Sequence, residues 1–188
     1  ACDAEALVRG VRRCVGTLPP DESGAMLAAA LSAVNENNAA SRGLAKVLRA
    51  EAKRHNSAKS AAAFAAAGGA AAAVALVHSY FHYPTGSVAL RPLPPLERIQ
   101  AATDSVAALA DLAAAGGAAQ TAVIGAGAED SVRSVLRHAN EQNYAWRVAL
   151  YVQVCRLAGN LCFGGAMNWF NFVNAFVNVA VFADDATT

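Results

Sequence analysis

The sequence predicts an all-α protein, a bundle of about six helices. Apolar residues recur at intervals of three and four along most of the chain, and alternating runs of β-branched residues are nearly absent. Alanine, the strongest helix former, supplies 48 of the 188 residues. A chain of this length buries about 70% of its unfolded surface without needing disulfides or metals. We expect a single helical domain over residues 1–188, with a sub-division at the proline-rich loop 84–95.

The N-terminal part of the chain predicts two or three amphipathic helices. Within residues 1–17, apolar side chains keep helical spacing and Glu5 stands four residues before Arg9. The first helix should stop before the prolines at 19 and 20, and Asp21 or Ser23 should cap the next one. A further apolar stripe runs to about residue 53, with a kink or a loop at the polar residues 35–38.

Two long segments carry no charge and predict the most buried helices, at about 57–82 and 157–183. Residues 60–90 contain no Asp, Glu, Lys or Arg, and residues 61–77 are entirely Ala, Gly, Val, Leu and Phe. Aromatic and histidine residues are concentrated at 78–83, as they are where a membrane-spanning helix ends at the aqueous interface. Alanine favours membrane insertion only weakly, so these segments suit either a membrane span or a buried core helix.

The second half of the chain predicts further amphipathic helices. One begins near Leu96 and ends near the diglycine at 116 and 117. The acidic pair at 129 and 130 suits the start of the next helix, because carboxylates are favoured at a helix N-terminus. A further apolar face, on a helix approaching Gly159, consists of Trp146, Leu150, Val154 and Leu157.

Composition excludes several classes of protein. Charged residues make up 15% of the chain, and 15 basic against 14 acidic residues leave a net charge of +1. This balance argues against a protein that binds nucleic acid through a general basic field. Four cysteines stand near the two chain ends without a CxxC or Cys/His zinc spacing, which argues against a zinc site. Reduced thiols are predicted, with a disulfide between the N-terminal and the C-terminal pair as the alternative. The cysteines are Cys2, Cys14, Cys155 and Cys162.

An asparagine stripe is the most distinctive motif. Four asparagines of the last predicted helix fall within about 120° of arc at 100° per residue. Asparagine is a poor helix former, so a face made of it alone suggests contact with another polar helix, a water-filled crevice, a cofactor or a second subunit. A modest solvated face is the alternative. The stripe consists of Asn168, Asn171, Asn174 and Asn178.

Two other sets of residues suggest ligands. His78 and His82, one helical turn apart, suit joint ligation of a metal or single ligation of a pigment such as haem or chlorophyll. Interfacial histidines among aromatic residues are the alternative. A set of arginines suits phosphate contacts in a groove, with surface ion pairs as the alternative. This set consists of Arg133, Arg137, Arg147 and Arg156.

Residues 161–176, with the sequence LCFGGAMNWFNFVNAF, resemble the first homology motif of the Bcl-2 family. The resemblance implies a buried central helix beside a groove that binds a partner helix. Phe170 and Asn171 stand where the family has Gly-Arg, and that arginine pairs with the ligand's aspartate in the family. The positions that match are Gly165, Asn168, Trp169, Val173 and Phe176.

No phosphate-binding glycine loop, nucleophile elbow or comparable catalytic signature is present in the sequence. We therefore expect a non-catalytic helical subunit of a larger complex, with no cofactor assigned. Its partners would be other protein subunits or copies of itself, with lipid as a further partner if the complex is embedded in a membrane. A membrane-associated complex is slightly favoured over a soluble intracellular one. The alternatives are a self-assembling coat or scaffold that contacts RNA, and a soluble binding module with a Bcl-2-like groove.

Overall fold

The computed structural model describes residues 3–34, 38–81, 96–140 and 147–162. Within these ranges every regular element is helical, and no strand occurs. The elements are α1 (Ala4–Val15), α2 (Pro20–Ala33), α3 (Asn38–Arg54), α4 (Ala58–Phe64), a π turn (Ala65–Gly69), α5 (Ala70–Phe81), α6 (Leu96–Ala114), α7 (Gly117–Gly125), α8 (Ala128–Asn140) and α9 (Arg147–Cys162). Because α4, the π turn and α5 form one kinked helix, the described residues contain eight helices.

The predicted all-α class is confirmed, and the helix number is somewhat larger than the predicted six. The charge-free helix predicted at about 57–82 corresponds to the kinked helix α4–α5. Only the first residues of the helix predicted at 157–183 are described, and they form the end of α9. The loop 84–95 lies outside the described residues.

The sequence correctly located the first helix boundaries but assigned the wrong cap to α2. Asp3 caps α1, because its side chain accepts a hydrogen bond from the backbone N–H of Glu5 at 3.0 Å. Helix α2 instead begins at Pro20, after Pro19, with no side-chain cap. Proline at the first helical position loses no helical hydrogen bond, which explains this start. Ser23, offered as a cap, is a fully buried residue inside the helix.

The kinked helix α4–α5 lies among other helices rather than at an edge. Its first half packs against α2 and α7, and its second half packs against α6 and α8. Gly68 has φ +115°, a conformation that favours glycine, and it interrupts the regular helix. A Cβ on Gly24 of α2 would lie 2.5 Å from the carbonyl oxygen of Phe64. The backbones of α2 and α4 therefore approach closely because glycine separates them.

Helix α6 packs against α3, α5 and α9. Its buried side chains include Leu109 and Leu112, both fully enclosed. The helix ends before Gly116 and Gly117, which have φ +71° and +53°, so the predicted break at this diglycine is confirmed. One cluster of buried side chains includes residues from every helix between α1 and α9.

Candidate functional site

The asparagine stripe and the Bcl-2-like motif stay predictions. Asn168, Asn171, Asn174 and Asn178 lie outside the described residues, as does the motif beyond Cys162. Leu161, the first residue of that motif, is buried at the end of α9.

The predicted histidine pair is described in part. His78 is a half-buried residue of α5, and His82 lies outside the described residues. Within the described ranges, His, Cys, Asp and Glu nowhere form a group of three or more that could hold a metal ion. The described cysteines, Cys14, Cys155 and Cys162, are free thiols.

The described arginines of the predicted phosphate-binding set lie beside carboxylates. Arg133 of α8 lies 4.0 Å from Glu129 and 3.9 Å from Asp130, in exposed ion pairs. Arg156 of α9 pairs with Asp111 of α6, whose side chain is only 8% exposed. These contacts match the ion-pair alternative. Arg137 and Arg147 belong to α8 and α9, and their side chains are outside the described part of the structure.

A cluster of mostly buried side chains joins the first four helices. We call it the His55 junction, and it consists of Ser23, Glu51, Arg54, His55 and Phe64. His55 Nε2 lies 3.3 Å from Ser23 Oγ and 3.5 Å from Glu51 Oε2. The Phe64 ring packs on the imidazole, with 5.4 Å between the ring centroids. His55 and Glu51 are each less than a tenth exposed.

Arg54 connects the His55 junction to the end of α1. Its Nε donates to Glu51 Oε2 at 2.8 Å, and its Nη2 pairs with the same oxygen. Nη2 also donates to the carbonyl oxygen of Val15 at 2.9 Å. The last carbonyls of a helix have no intrahelical donor, so the guanidinium satisfies one of them at the C-terminus of α1.

Burial lowers the pKa of His55 below its usual value of 6.5, and the charge of Arg54 lowers that pKa further. Glu51 acts in the opposite direction through its charge and its hydrogen bond, but burial is the larger effect. His55 is therefore neutral at neutral pH.

The His55 junction contains a serine, a histidine and a carboxylate, but its geometry does not suit nucleophilic catalysis. A catalytic triad places the serine and the carboxylate on opposite ring nitrogens. Here Ser23 and Glu51 both lie at Nε2. The Ser23 hydroxyl is fully buried and donates to the carbonyl oxygen of Pro20 at 3.0 Å. The described contacts of this cluster therefore connect helices.

The outward surface of α9 has an unusual composition. We call it the α9 face, and it consists of Val148, Val152, Cys155 and Gly159, all exposed. At 100° per residue these positions fall within about 60° of arc, and they extend over about 16 Å. Val148 is 66% exposed and Val152 is 55% exposed. A solvated helix face normally carries Lys and Glu, whereas the α9 face carries no charge.

The opposite surface of α9 is fixed to the protein by apolar and polar contacts. Leu150, Val154 and Leu157 are buried, which confirms the predicted apolar face for its described members; Trp146 lies outside the described residues. Asn160 Nδ2 donates to the carbonyl oxygen of Ala110 at 2.8 Å. Gln120 of α7 donates to the carbonyl oxygens of Asn160 and Leu161 at 2.7 and 3.1 Å.

No family model, no curated protein and no solved structure gives a significant match to this chain.

Sequence reasoning missed both the His55 junction and the α9 face. The sequence signal for the junction was the four-residue spacing of Glu51 and His55, because residues four apart lie on one face of a helix. Nothing in the sequence indicated that Ser23 and Phe64 would meet them. The apolar face predicted for this helix is the inward one, and the valines at 148 and 152 belong to the opposite side.

Proposed function

We propose that the protein is a non-catalytic helical assembly subunit of a larger complex, and that the α9 face is a contact surface for a protein partner. The observation that carries this proposal is the position of Val148 and Val152 on the outward side of a helix whose inward side is already buried. Apolar surface removed from water contributes about 25 cal/mol per Å². Covering the α9 face is therefore favourable.

The small residues of the α9 face support a closely packed helix contact. No heavy atom lies within 4 Å of the Cβ position of Gly159, so the space above this residue is open to a partner. Arg156, beside the face, is held by Asp111. A stable interface buries about 1,200–2,000 Å² in total, so the α9 face would form the apolar centre of a larger contact.

The polar clusters support the non-catalytic part of the proposal. In the His55 junction, polar groups join α3 to α2 and to the end of α1. Arg49 of α3 donates to Asp104 of α6 at 2.8 Å, and Asn160 joins α9 to α6. These contacts serve the association of helices within the chain.

The apolar helix 58–80 is relevant to whether proteins or lipid surround the chain in the complex. It is long and apolar enough to cross a membrane, and 56% of its most apolar stretch is buried. Packing against α2, α6, α7 and α8 gives just over half of this stretch an apolar environment without lipid. This packing favours the version of the proposal in which proteins cover the chain.

The test compares the wild-type chain with a double variant, Val148→Glu with Val152→Glu, and with the control Ala50→Glu. Ala50 is exposed on α3, near the exposed Lys46 and Lys53, so its substitution adds a charge to a face that already carries charge. Particle size is measured by size-exclusion chromatography with light scattering, on extracts of the native cells and on the purified chain at rising concentration.

We expect the wild type and Ala50→Glu to occur in a particle larger than the monomer, and the double variant to elute as a monomer. A wild-type chain that is monomeric in both preparations, or a double variant that keeps the large particle, would contradict the proposal. A particle that leaves the membrane fraction only in detergent would support the membrane-embedded version instead.

A further inference from the structure

We propose that the His55 junction is an acid-sensitive contact: when His55 takes up a proton, the hold of α3 and α4 on α1 and α2 loosens. The proposal concerns the opposite end of the described chain from α9, and it does not depend on the proposed function. It rests on three features of the junction: an enclosed imidazole, one carboxylate shared by two basic groups, and an arginine that connects this carboxylate to α1.

The imidazole of His55 lies in an enclosed site, and the residue is only 6% exposed. The Phe64 ring of α4 covers the imidazole, and the fully buried Ser23 of α2 occupies Nε2. The charged groups that face His55 are Glu51 and Arg54, both from α3. The charged side chains that α2 and α4 carry are exposed, namely Asp21, Glu22 and Lys59. Neutral His55 suits this environment because a buried charge is costly.

The single negative charge of the Glu51 carboxylate cannot neutralise two cations at once. Its Oε2 accepts from Arg54 and lies 3.5 Å from His55 Nε2. Protonation would place an imidazolium beside this oxygen while the Arg54 guanidinium is still bound to it. The cluster would then hold two positive charges against one negative charge; the Arg54 guanidinium is partly in contact with water, whereas the imidazolium and the carboxylate are both buried. Opening the contact hydrates the imidazolium and relieves this imbalance.

Arg54 makes α1 and α2 sensitive to such a change. Besides Val15, its guanidinium contacts the carbonyl oxygens of Gly16 and Leu18, each at 3.4 Å. These residues form the turn between α1 and α2. Any shift of Glu51 toward a protonated His55 therefore moves the group that holds this turn.

The direction of the pH dependence follows from linkage. The pKa of His55 is lower in the folded protein than the value of 6.5 expected in the unfolded chain. The unfolded state therefore binds more protons as the pH falls below about 6.5, and the stability contributed by neutral His55 is present above that pH and lost below it.

The test measures urea unfolding of the full chain at pH 7.5 and pH 5.0 for the wild type, His55→Gln and the control His78→Gln. Glutamine keeps a polar side chain at position 55 without titrating in this range. His78 is a half-buried histidine of α5 outside the junction. We expect the wild type and His78→Gln to lose the same stability on acidification, and His55→Gln to lose less. An equal loss in His55→Gln and the wild type would overturn the proposal.

A second measurement on the wild-type chain keeps the proposal testable if His55→Gln fails to fold. The His55 ring is titrated by NMR, and backbone amide exchange is followed over the same pH range after correction for its intrinsic pH dependence. We expect a midpoint below 6.5 and an acid-induced rise in exchange that is larger in α1 and α2 than in α6. A midpoint at or above 6.5, or an equal rise in all helices, would overturn the proposal.

Discussion

Helices α1 and α9 use their inward surfaces alike and their outward surfaces differently. In α1, Val11 and Val15 are buried, and the exposed side carries Glu5 and Arg9, which pair at 3.1 Å. In α9 the inward leucines and Val154 are equally buried, but Val148 and Val152 occupy the exposed side. The inward residues fix each helix to the bundle. The outward residues determine what each helix contacts. This is water in the case of α1 and, as we propose, a partner protein in the case of α9.

The largest expected effect sharpens this comparison within α9. Leu157→Ala removes a fully buried side chain, and we expect the free energy of unfolding to fall by about 2–5 kcal/mol, because burial is lost and a cavity remains. The control Val152→Ala, on the outward side, should change stability by less than about 0.5 kcal/mol. Urea denaturation of the purified chain measures both. If Val152→Ala costs as much as Leu157→Ala, the α9 face is covered within the chain and the comparison fails.

A second prediction contrasts a glycine in a close contact with a glycine on the open side of α1. The new methyl group of Gly24→Ala would lie 2.5 Å from a backbone oxygen, which cannot move aside easily. We expect a loss of about 1–3 kcal/mol. Gly10→Ala, with no atom within 4 Å of its Cβ position, should stabilise α1 by about 0.5–1 kcal/mol. Thermal unfolding followed by circular dichroism distinguishes the two, and equal effects would contradict the close approach of α2 and α4.

The smallest expected effect concerns the charged outward side of α1. Arg9→Ala removes an exposed ion pair with Glu5, and such pairs contribute only about 0.2–0.5 kcal/mol. We expect a decrease of this size, which 1 M salt should largely abolish because salt screens exposed charges. Chemical denaturation at low and high salt checks this. A loss above about 1 kcal/mol would show that the outward residues of α1 stabilise more than the local helix.

Several features of the fold were predictable because they depend on neighbours in the sequence. The prolines at 19 and 20 and the diglycine at 116 and 117 mark helix boundaries through backbone chemistry alone. The charge-free run at 61–77 predicted a buried helix, since no solvated face was available to it. The cap of α2 was mispredicted because the helix already begins at Pro20, which leaves Asp21 and Ser23 inside it. Ser23 instead contacts His55, 32 residues away.

The sequence by itself determined the all-α class, the position of the long apolar helix and the near-neutral charge, because helical periodicity and composition are properties of short segments. Only the tertiary structure decided that Ser23, His55 and Phe64 meet, that Gly24 lies against Phe64, and that Val148 and Val152 face outward. These facts depend on how distant segments pack. An apolar residue such as Val152 favours burial as much on the outward side of a helix as on the inward side. The order of residues in one helix does not reveal which of its sides the other helices cover.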